Sequence, residues 1–318
     1  MADLKLMCGT LKDVEEVMSR KDGSVESCIV MGRSKVLTSV GELTPVYDVE
    51  EESRRILQPI SIYPDGSVKA VALQGVAKVS TPIGEFEAEM VSFHKNGGVR
   101  GIFPLNGKLS GFWAEEEEAK LAKSVVIDTP IGAIRAKVIS LYFHPSGALR
   151  SVTLWPGEVI EIDTPLGPFG ARVGVSFYEN GALRSLEPAK PTGIATPIGG
   201  FTAFDPDPDG ISGDSNSLVF DEEGGIRELS TLTEQVSVFE GDKKYTFTPA
   251  LKESLCQESQ MVVLPLKVTF TKGGVVLDGR EFRLDEAKVK TEAFLGDIKP
   301  MALNLGRQES PALPLWKC

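Results

Sequence analysis

The chain has 318 residues, of which 42% are hydrophobic, so it is long and apolar enough to bury a sizeable core. Its formal net charge of −11 argues against a nucleic-acid backbone or an anionic membrane surface as the main partner. Its 32 glycines and 20 prolines exceed average usage, which indicates a β-protein with many turns. The most apolar stretch, residues 261–270, is interrupted by Pro265 and Lys267, so we expect no membrane insertion.

The first residues and the cysteines both favour a cytoplasmic location. Residues 1–9 lack the charged lead and the continuous apolar run of a signal peptide. The four cysteines form no Cys-x-x-Cys pair, so neither a zinc site nor a disulfide framework is predicted. We therefore expect free thiols in a reducing compartment. The cysteines are Cys8, Cys28, Cys256 and Cys318.

After a short N-terminal cap in residues 1–20, two kinds of turn alternate along the chain. The first kind is an aromatic residue, two or three further residues, a glycine, a hydrophobic residue and usually a basic one, as in residues 143–150. The second kind is Thr-Pro-aliphatic-Gly. Glycine supplies the positive φ of a tight hairpin, and proline cannot donate to a sheet, so both marks belong in turns. The turn glycines are Gly23, Gly66, Gly97, Gly147, Gly181 and Gly224, and the turn threonines are Thr44, Thr81, Thr129, Thr164 and Thr196.

The residues between the turns alternate in the manner of half-buried strands. Ile139, Leu141 and Phe143 precede one turn glycine, and Val91 and Phe93 precede another. An all-β fold follows: an antiparallel meander of about twelve strands, arranged as about six two-strand repeats over residues 1–235. We expect the glycine turns along one edge of the sheet and the Thr-Pro turns along the other. The sheet could stay single and twisted, split into two, or close on itself.

Two insertions interrupt this alternation. Residues 101–123 contain a stretch of strong helix propensity at 114–123, which predicts a surface helix, with a hairpin around Asn106 and Gly107 as the alternative. The four consecutive glutamates 115–118 point around such a helix and predict a solvated face. The second insertion, residues 205–216, is acidic.

The acidic insertion resembles the first half of a calcium loop. Three carboxylates alternate before Gly210, and alternate carboxylates can converge on one hard cation. Position twelve is Asn216, where a calcium loop has a bidentate glutamate, and no helical pattern flanks the segment. A solvated acidic loop is the simpler interpretation, and a calcium site is the alternative. The candidate ligands are Asp205, Asp207, Asp209 and Asp214.

Residues 236–318 lose the alternation and are predicted to form a β-rich C-terminal capping region. Strands are expected at residues 244–248, 261–271 and 275–284. Turns are expected at Gly273-Gly274 and at Asp278-Gly279.

Two sets of polar residues recur at fixed repeat positions. His94 and His144 follow equivalent phenylalanines, and Tyr63 and Tyr178 fill the same position elsewhere, so a structural role is favoured over metal binding. A basic residue follows each glycine turn. These residues could form a binding stripe for an anionic ligand or an acidic partner, although cross-strand pairing with carboxylates is the simpler interpretation. They are Lys69, Arg100, Arg150, Arg184 and Arg227.

At the aromatic-x-x-Gly marks, the chain resembles the MORN-repeat family and related bacterial hairpin repeats. The clearest segments are residues 92–100, 104–113 and 175–184, and the resemblance covers about 60–230. It implies an elongated sheet of hairpins that serves as a scaffold or binding surface. MORN arrays are associated with protein partners and in some cases with lipids, and the negative net charge here disfavours lipid. The Thr-Pro mark is not part of that pattern.

Taken together, the sequence predicts a non-enzymatic scaffold that binds a protein or another macromolecule. We find no nucleophile, phosphate-loop, dinucleotide or metalloprotease motif, and we therefore assign no catalytic or cofactor-binding residue. The alternative is a divalent-metal-dependent binding protein or enzyme that uses residues 205–216 or the C-terminal region. Replicated side chains over a large surface suit recognition better than catalysis.

Overall fold

The computed structural model describes residues 2–107, 113–206, 213–253 and 261–294. It is 61% strand and 1% helix, which confirms the all-β prediction, and its antiparallel meander of hairpins is not closed. The chain divides into two compact units, Met1–Ile160 with Phe177–Gly181, and Glu161–Ser176 with Ala182–Cys318. The predicted boundary at residues 235 and 236 concerns the repeat pattern and stays a prediction. Among the described residues, no helix is long and apolar enough to cross a membrane.

The first unit is a meander of neighbouring antiparallel strands. Its hydrogen-bonded order is β1-β2-β3-β6-β7-β8-β9-β11-β12. Strand β10 pairs with the first half of β11, and β4 pairs with β5. The elements are β1 (Ala2–Leu6), β2 (Gly9–Ser19), β3 (Val25–Gly32), β4 (Val36–Thr38), β5 (Gly41–Leu43), β6 (Ile60–Ile62), β7 (Val68–Thr81), β8 (Gly84–Phe93), β9 (Val99–Phe103), α1 (Glu115–Ala119), β10 (Ser124–Thr129), β11 (Gly132–Phe143) and β12 (Leu149–Leu154).

The second unit continues the same kind of pairing. Strands β15, β18, β19, β24, β25 and β26 are hydrogen-bonded in that order, and β16–β17, β22–β23 and β21–β20–β27 form smaller sheets. The turns predicted beyond residue 236 are confirmed, with Gly273 at φ 84° and Gly279 at φ 75°, and strands lie in all three predicted segments. The segment 261–271 is two strands rather than one, because Pro265 separates a part that pairs with β22 from a part that pairs with β19. The remaining strands are β13 (Ile160–Thr164), β14 (Gly167–Phe177), β15 (Leu183–Pro188), β16 (Thr192–Thr196), β17 (Gly199–Ala203), β18 (Leu218–Phe220), β19 (Ile226–Thr231), β20 (Glu234–Glu240), β21 (Lys243–Phe247), β22 (Ala250–Glu253), β23 (Met261–Leu264), β24 (Leu266–Thr271), β25 (Gly274–Leu277), β26 (Arg280–Arg283) and β27 (Lys288–Ala293).

The six predicted glycine turns share one geometry. Their glycines have φ between 84° and 91°, a region that a side chain disfavours. In the turn at Gly147, the glycine amide donates to the His144 carbonyl at 2.9 Å, and the His144 amide donates to the Ala148 carbonyl at 2.8 Å. The same pair of bonds closes the turns at Gly66 and Gly97. The prediction of tight hairpins at these glycines is therefore confirmed.

The Thr-Pro turns are closed by their threonines. The Thr81 hydroxyl donates to the Gly84 carbonyl at 2.8 Å, and the other Thr-Pro-aliphatic-Gly turns repeat this bond. The predicted turn at Thr44 is wrong. There the tip is Thr38 to Gly41, closed by the same hydroxyl bond at 2.8 Å, whereas Pro45 bridges to a strand. Ser39 replaces proline at this tip, because the hydroxyl bond rather than the proline ring closes the turn.

The two kinds of turn do not line opposite edges, which corrects the prediction. A Cβ built on Gly147 would lie 3.2 Å from the Pro82 ring, and one on Gly181 would lie 3.1 Å from Pro130. Each Thr-Pro tip in the first unit therefore meets a glycine turn further along the chain. In β7 the register shifts between Ala72 and Ala77, so the outer half of the hairpin bends away from the sheet. We call the bent outer halves of these hairpins the arms.

The same bends explain why the predicted number of strands, about twelve, was too low. Within the described residues, nineteen strands, β1 to β19, precede residue 232. The alternation of turns counts hairpins, but it cannot show where a long strand bends or where an arm separates as its own pair, as β16 and β17 do.

One row of apolar residues runs through the core of the first unit. Register aligns these residues across β7, β8, β9, β11 and β12, and none is more than 1% exposed. Phe93 and Phe143 close the row next to the glycine turns and are equally buried. The row consists of Val71, Val91, Ile102, Leu141 and Val152.

The contact between tip and turn can be measured with a matched pair of glycines. Gly97→Ala and Gly147→Ala both force alanine to positive φ, which costs about 1–2 kcal/mol. Only Gly147 faces a proline ring, since nothing lies within 4 Å of a Cβ on Gly97. We expect Gly147→Ala to cost about 1 kcal/mol more in urea denaturation. Adding Pro82→Ala to Gly147→Ala should restore this extra free energy of unfolding. Equal losses for the two glycine variants would show that the Pro82 ring does not restrict a side chain at position 147.

Candidate functional site

A single row of small or polar residues crosses six strands of the first unit at one height. Pairing runs without a break from Ser61 on β6 to Ser151 on β12. Because the register is continuous, residues next to this row in equivalent strands also lie at one height. The row consists of Ser61, Ala70, Ser92, Gly101, Tyr142 and Ser151.

Three of the predicted basic residues lie beside this row, each as the extra residue of a β-bulge. The pairing passes over Lys69 on β7, Arg100 on β9 and Arg150 on β12. Lys69 and Arg100 are exposed, and Arg150 is half-buried. In this unit the three residues therefore share one phase. We call Lys69, Arg100 and Arg150 the basic row.

In the second unit the basic residues differ in their surroundings. Arg227 on β19 is exposed and is again passed over by the pairing. Arg184 lies 3.9 Å from a carboxylate oxygen of Asp214, which is the pairing with an acid that the simpler interpretation predicts.

The two histidines belong to a ladder that links successive repeats. His94 Nε2–H donates to the Phe143 carbonyl at 2.9 Å, and His144 Nε2–H donates to the Phe177 carbonyl at 3.1 Å. The Tyr63 hydroxyl makes the equivalent bond to the Phe93 carbonyl at 3.0 Å. One tyrosine and two histidines therefore make the same hydrogen bond at this repeat position, which supports its structural interpretation.

The acidic insertion in the second unit is fastened at its base by a buried carboxylate. Glu187 is fully buried and accepts the amide of Asp205 at 3.0 Å and the amide of Ser217 at 2.8 Å. The Arg172 guanidinium lies 3.7 Å from it and donates to the Asp205 carbonyl. Burial raises the pKa of Glu187 above its usual range, and the bonds from the two amides oppose that shift. Glu187 therefore ties the two ends of the insertion to β15.

The calcium prediction is only partly covered by the described residues. Asp207 and Asp209 lie outside them, and the Asp205 backbone is committed to Glu187 and Arg172. Near the same base, the buried side-chain oxygen of Asn216 accepts no hydrogen bond from the described residues. Over residues 2–107, 113–206, 213–253 and 261–294, no group of three His, Cys, Asp or Glu side chains is placed to hold a metal ion.

The insertion of the first unit has a similar anchor. Arg54 forms ion pairs with Glu89 and with Glu118, the latter at 2.5 Å, and Glu89 also accepts the Asn106 amide at 2.9 Å. Glu118 is only 2% exposed, and burial raises its pKa. The predicted helix is present but spans only Glu115–Ala119.

The solvated helix face predicted for residues 115–118 is wrong at Glu118. Helix propensity could not reveal that Arg54, 64 residues earlier in the chain, would take one of its four glutamates into the interior. The alternative hairpin around Asn106 and Gly107 continues into residues outside the described part. Sequence reasoning also missed Arg54, Glu89, Arg172 and Glu187. Arg172 is the one charge of its apolar strand, which is a weak signal, whereas Arg54 lies in a charged loop and Glu89 follows two exposed glutamates of β8, so neither carries a signal.

Two of the four cysteines are described, and both are buried free thiols. Burial raises the pKa of Cys28 to about 11, with a smaller contribution from nearby Cys8, and burial also raises the pKa of Cys8. Both thiols therefore stay protonated near neutral pH and are poor nucleophiles. Cys256 and Cys318 lie outside the described residues.

Known proteins give no assignment for this arrangement. No protein family, no curated protein and no solved structure matches the chain. The resemblance to MORN repeats therefore stays an interpretation of short motifs.

The histidine ladder predicts that tyrosine, but not leucine, can replace His94 without loss of stability. His94→Leu removes the bond to the buried strand end and should cost about 1 kcal/mol of unfolding free energy. His94→Tyr should keep most of that stability, because Tyr63 makes the same bond one repeat earlier. Urea denaturation of both variants tests this. Equal stability of His94→Leu and wild type would mean that the bond contributes nothing.

Because Glu187 anchors the insertion, truncating its side chain should lower the free energy of unfolding substantially. Glu187→Ala leaves two amides without their acceptor and the Arg172 guanidinium without its carboxylate, and should cost about 3–5 kcal/mol in urea denaturation. Glu179→Ala, which truncates an exposed glutamate of the turn before β15, is the matched control and should change stability little. A loss below about 1 kcal/mol for Glu187→Ala would contradict the anchoring role.

Glu187 should also make the free energy of unfolding depend on pH. An unfolded glutamate has a pKa of about 4.3. Burial raises the pKa of Glu187 in the folded protein, so the folded protein holds this proton to a higher pH than the unfolded chain does. This contribution to stability is full below about pH 4 and is lost as the pH rises through the folded-state pKa. Relative to Glu187→Gln, wild type should therefore lose stability from pH 4 to pH 7. A change in the opposite direction would show that Arg172 and the amides favour the anion.

Proposed function

We propose that this protein is a non-enzymatic, cytoplasmic β-repeat scaffold that binds a protein or another macromolecule along the outer surface of its repeats. The observation that carries this proposal is the basic row, which places Lys69, Arg100 and Arg150 at one height and at equal strand intervals. Equal spacing of one charge over several strands suits an extended ligand better than a small molecule, which would need groups converging on one point.

The roles of the other polar residues support the same proposal. The described histidines hold successive repeats together, and the buried glutamates 89 and 187 hold insertions to strands. These groups are already committed to folding, so recognition by exposed, replicated side chains is the function left to the repeats. The buried thiols Cys8 and Cys28 fit a reducing compartment.

Chemical crosslinking with the intact protein tests the scaffold. We expect a protein or other macromolecule from native cytoplasm to bind reproducibly, to bind again after purification, and to crosslink to exposed lysines of the repeats such as Lys69 and Lys95. Crosslinks confined to residues beyond 236 would contradict the proposal. So would a rise of several degrees in Tm with millimolar calcium, because that result favours the metal-dependent alternative.

A further inference from the structure

Strand β1 forms an edge of the first unit. Within the described residues its backbone pairs only with β2, whereas β2 pairs with β1 on one side and with β3 on the other. The tip of the β1–β2 hairpin is held in place, because the Cys8 amide donates to the Gly66 carbonyl at 3.3 Å. Asp3 and Lys5 on β1 are exposed. The side of β1 that faces away from β2 is therefore an ordered edge that can accept another strand.

The hairpin decides which backbone groups of β1 face outward. Leu6 pairs with Gly9 across only two loop residues, so these two residues themselves exchange their backbone hydrogen bonds. Bonded and non-bonded positions alternate, so Leu4 also faces β2, and the amides and carbonyls of Asp3 and Lys5 point away from it. The extra residue of the nearby bulge belongs to β2, so β1 keeps its alternation. The outer edge therefore offers two donors and two acceptors.

This edge is complementary to a second copy of itself. When two copies of β1 pair antiparallel about a twofold axis at Leu4, Asp3 of each copy lies opposite Lys5 of the other. These are the residues whose backbone groups point outward, so each such pair exchanges two backbone hydrogen bonds. An axis at Asp3 or at Lys5 would instead set like charges opposite each other, which destabilises a strand pair. Charge therefore selects one register, with the two half-buried Leu4 side chains in contact at the axis.

We propose that this protein forms a twofold-symmetric dimer through β1, held by four backbone hydrogen bonds and by two ion pairs between Asp3 and Lys5. The partner at this edge is a second copy of the chain, and the inference does not depend on the proposed scaffold function. A stable interface uses about 20–30 residues a side, whereas β1 has 5 residues. The dimer is therefore weak and depends on protein concentration.

The two charged side chains are placed for this pairing. One carboxylate oxygen of Asp3 accepts the Asp13 amide at 3.2 Å, which holds the side chain on β1 and leaves its negative charge and its second oxygen for Lys5 of the second copy. The Lys5 ammonium forms no ion pair with any described residue. A lysine on a short edge strand ordinarily keeps two copies apart. Here the aspartate two residues away removes that repulsion, because each lysine meets an aspartate.

Sedimentation velocity of the full chain over a range of concentrations tests the dimer. Lys5→Asp makes the edge wholly acidic and Asp3→Lys makes it wholly basic, and each should raise the dimer dissociation constant at least tenfold. An equimolar mixture of these two variants should form a dimer again, because each edge then meets its opposite. Lys21→Asp makes the same charge change as Lys5→Asp in the exposed turn at the far end of β2, and should change the constant less than about threefold.

Hydrogen exchange over residues 2–6 shows whether β1 is the contact. The outward amides of Asp3 and Lys5 should become protected as the wild-type concentration rises, and should stay unprotected in Lys5→Asp. Lys5→Asp keeps the bond from Asp13, so it decides the outcome even where Asp3→Lys loosens the hairpin.

Four results would overturn the dimer. They are a wild-type monomer at every concentration, a dimer that Lys5→Asp does not weaken, open-ended oligomers, and a mixture of the two folded single variants that stays monomeric. Open-ended oligomers would show that β1 pairs with a different edge of the next copy. Capture of a macromolecular partner by monomeric protein would leave the scaffold proposal standing while the dimer fails.

Discussion

The positive φ of the turn glycines is the constraint on which the repeats depend. With φ fixed near 84–91°, each hairpin closes with the same two backbone bonds and leaves the same register behind it. In a sheet, register decides which face every later side chain occupies. A turn of another length at Gly97 or Gly147 would move Phe93 or Phe143 out of the core. Repetition of one turn therefore keeps the apolar row continuous across strands.

The same register places the polar ladder and the basic row. His94 and Tyr63 sit three residues before their glycines, so each reaches the carbonyl at the strand end of the following repeat. Lys69 and Arg100 sit three residues after their glycines, where the pairing passes over one residue. A bulge residue lies outside the ladder of backbone bonds, so its side chain can change from basic to acidic at little cost to the sheet. The equivalent residue of β3 is Glu26, which is exposed and is passed over by the pairing with β2.

Much of the repeat could be predicted from the sequence because local turn chemistry governs it. The turn glycines, the alternating strands and most of the strands beyond residue 236 follow from short patterns, whereas the shared phase of the basic residues depends on register between strands. The positions of the arms do not, because the bend between Ala72 and Ala77 depends on how a strand packs rather than on its period of two. The turn at Thr38 was missed because its proline is replaced by Ser39, although its hydroxyl bond is the same. The partnership of Arg54 with Glu118 joins distant segments, which no local pattern encodes.

The two insertions show how a strict repeat can carry irregular segments. Lengthening a loop costs little entropy, so an insertion is tolerated wherever its ends stay in place. Glu187 holds both ends of the acidic insertion through backbone amides, so the sequence between them can vary without loosening its base. Glu89 does the same at one end of the first insertion through the Asn106 amide. A buried charge adds little net stability but is costly to leave without its partner. Glu187 with Arg172, and Glu89 with Arg54, therefore act chiefly to fix where each insertion leaves the sheet, and the register set by the glycine turns continues past it.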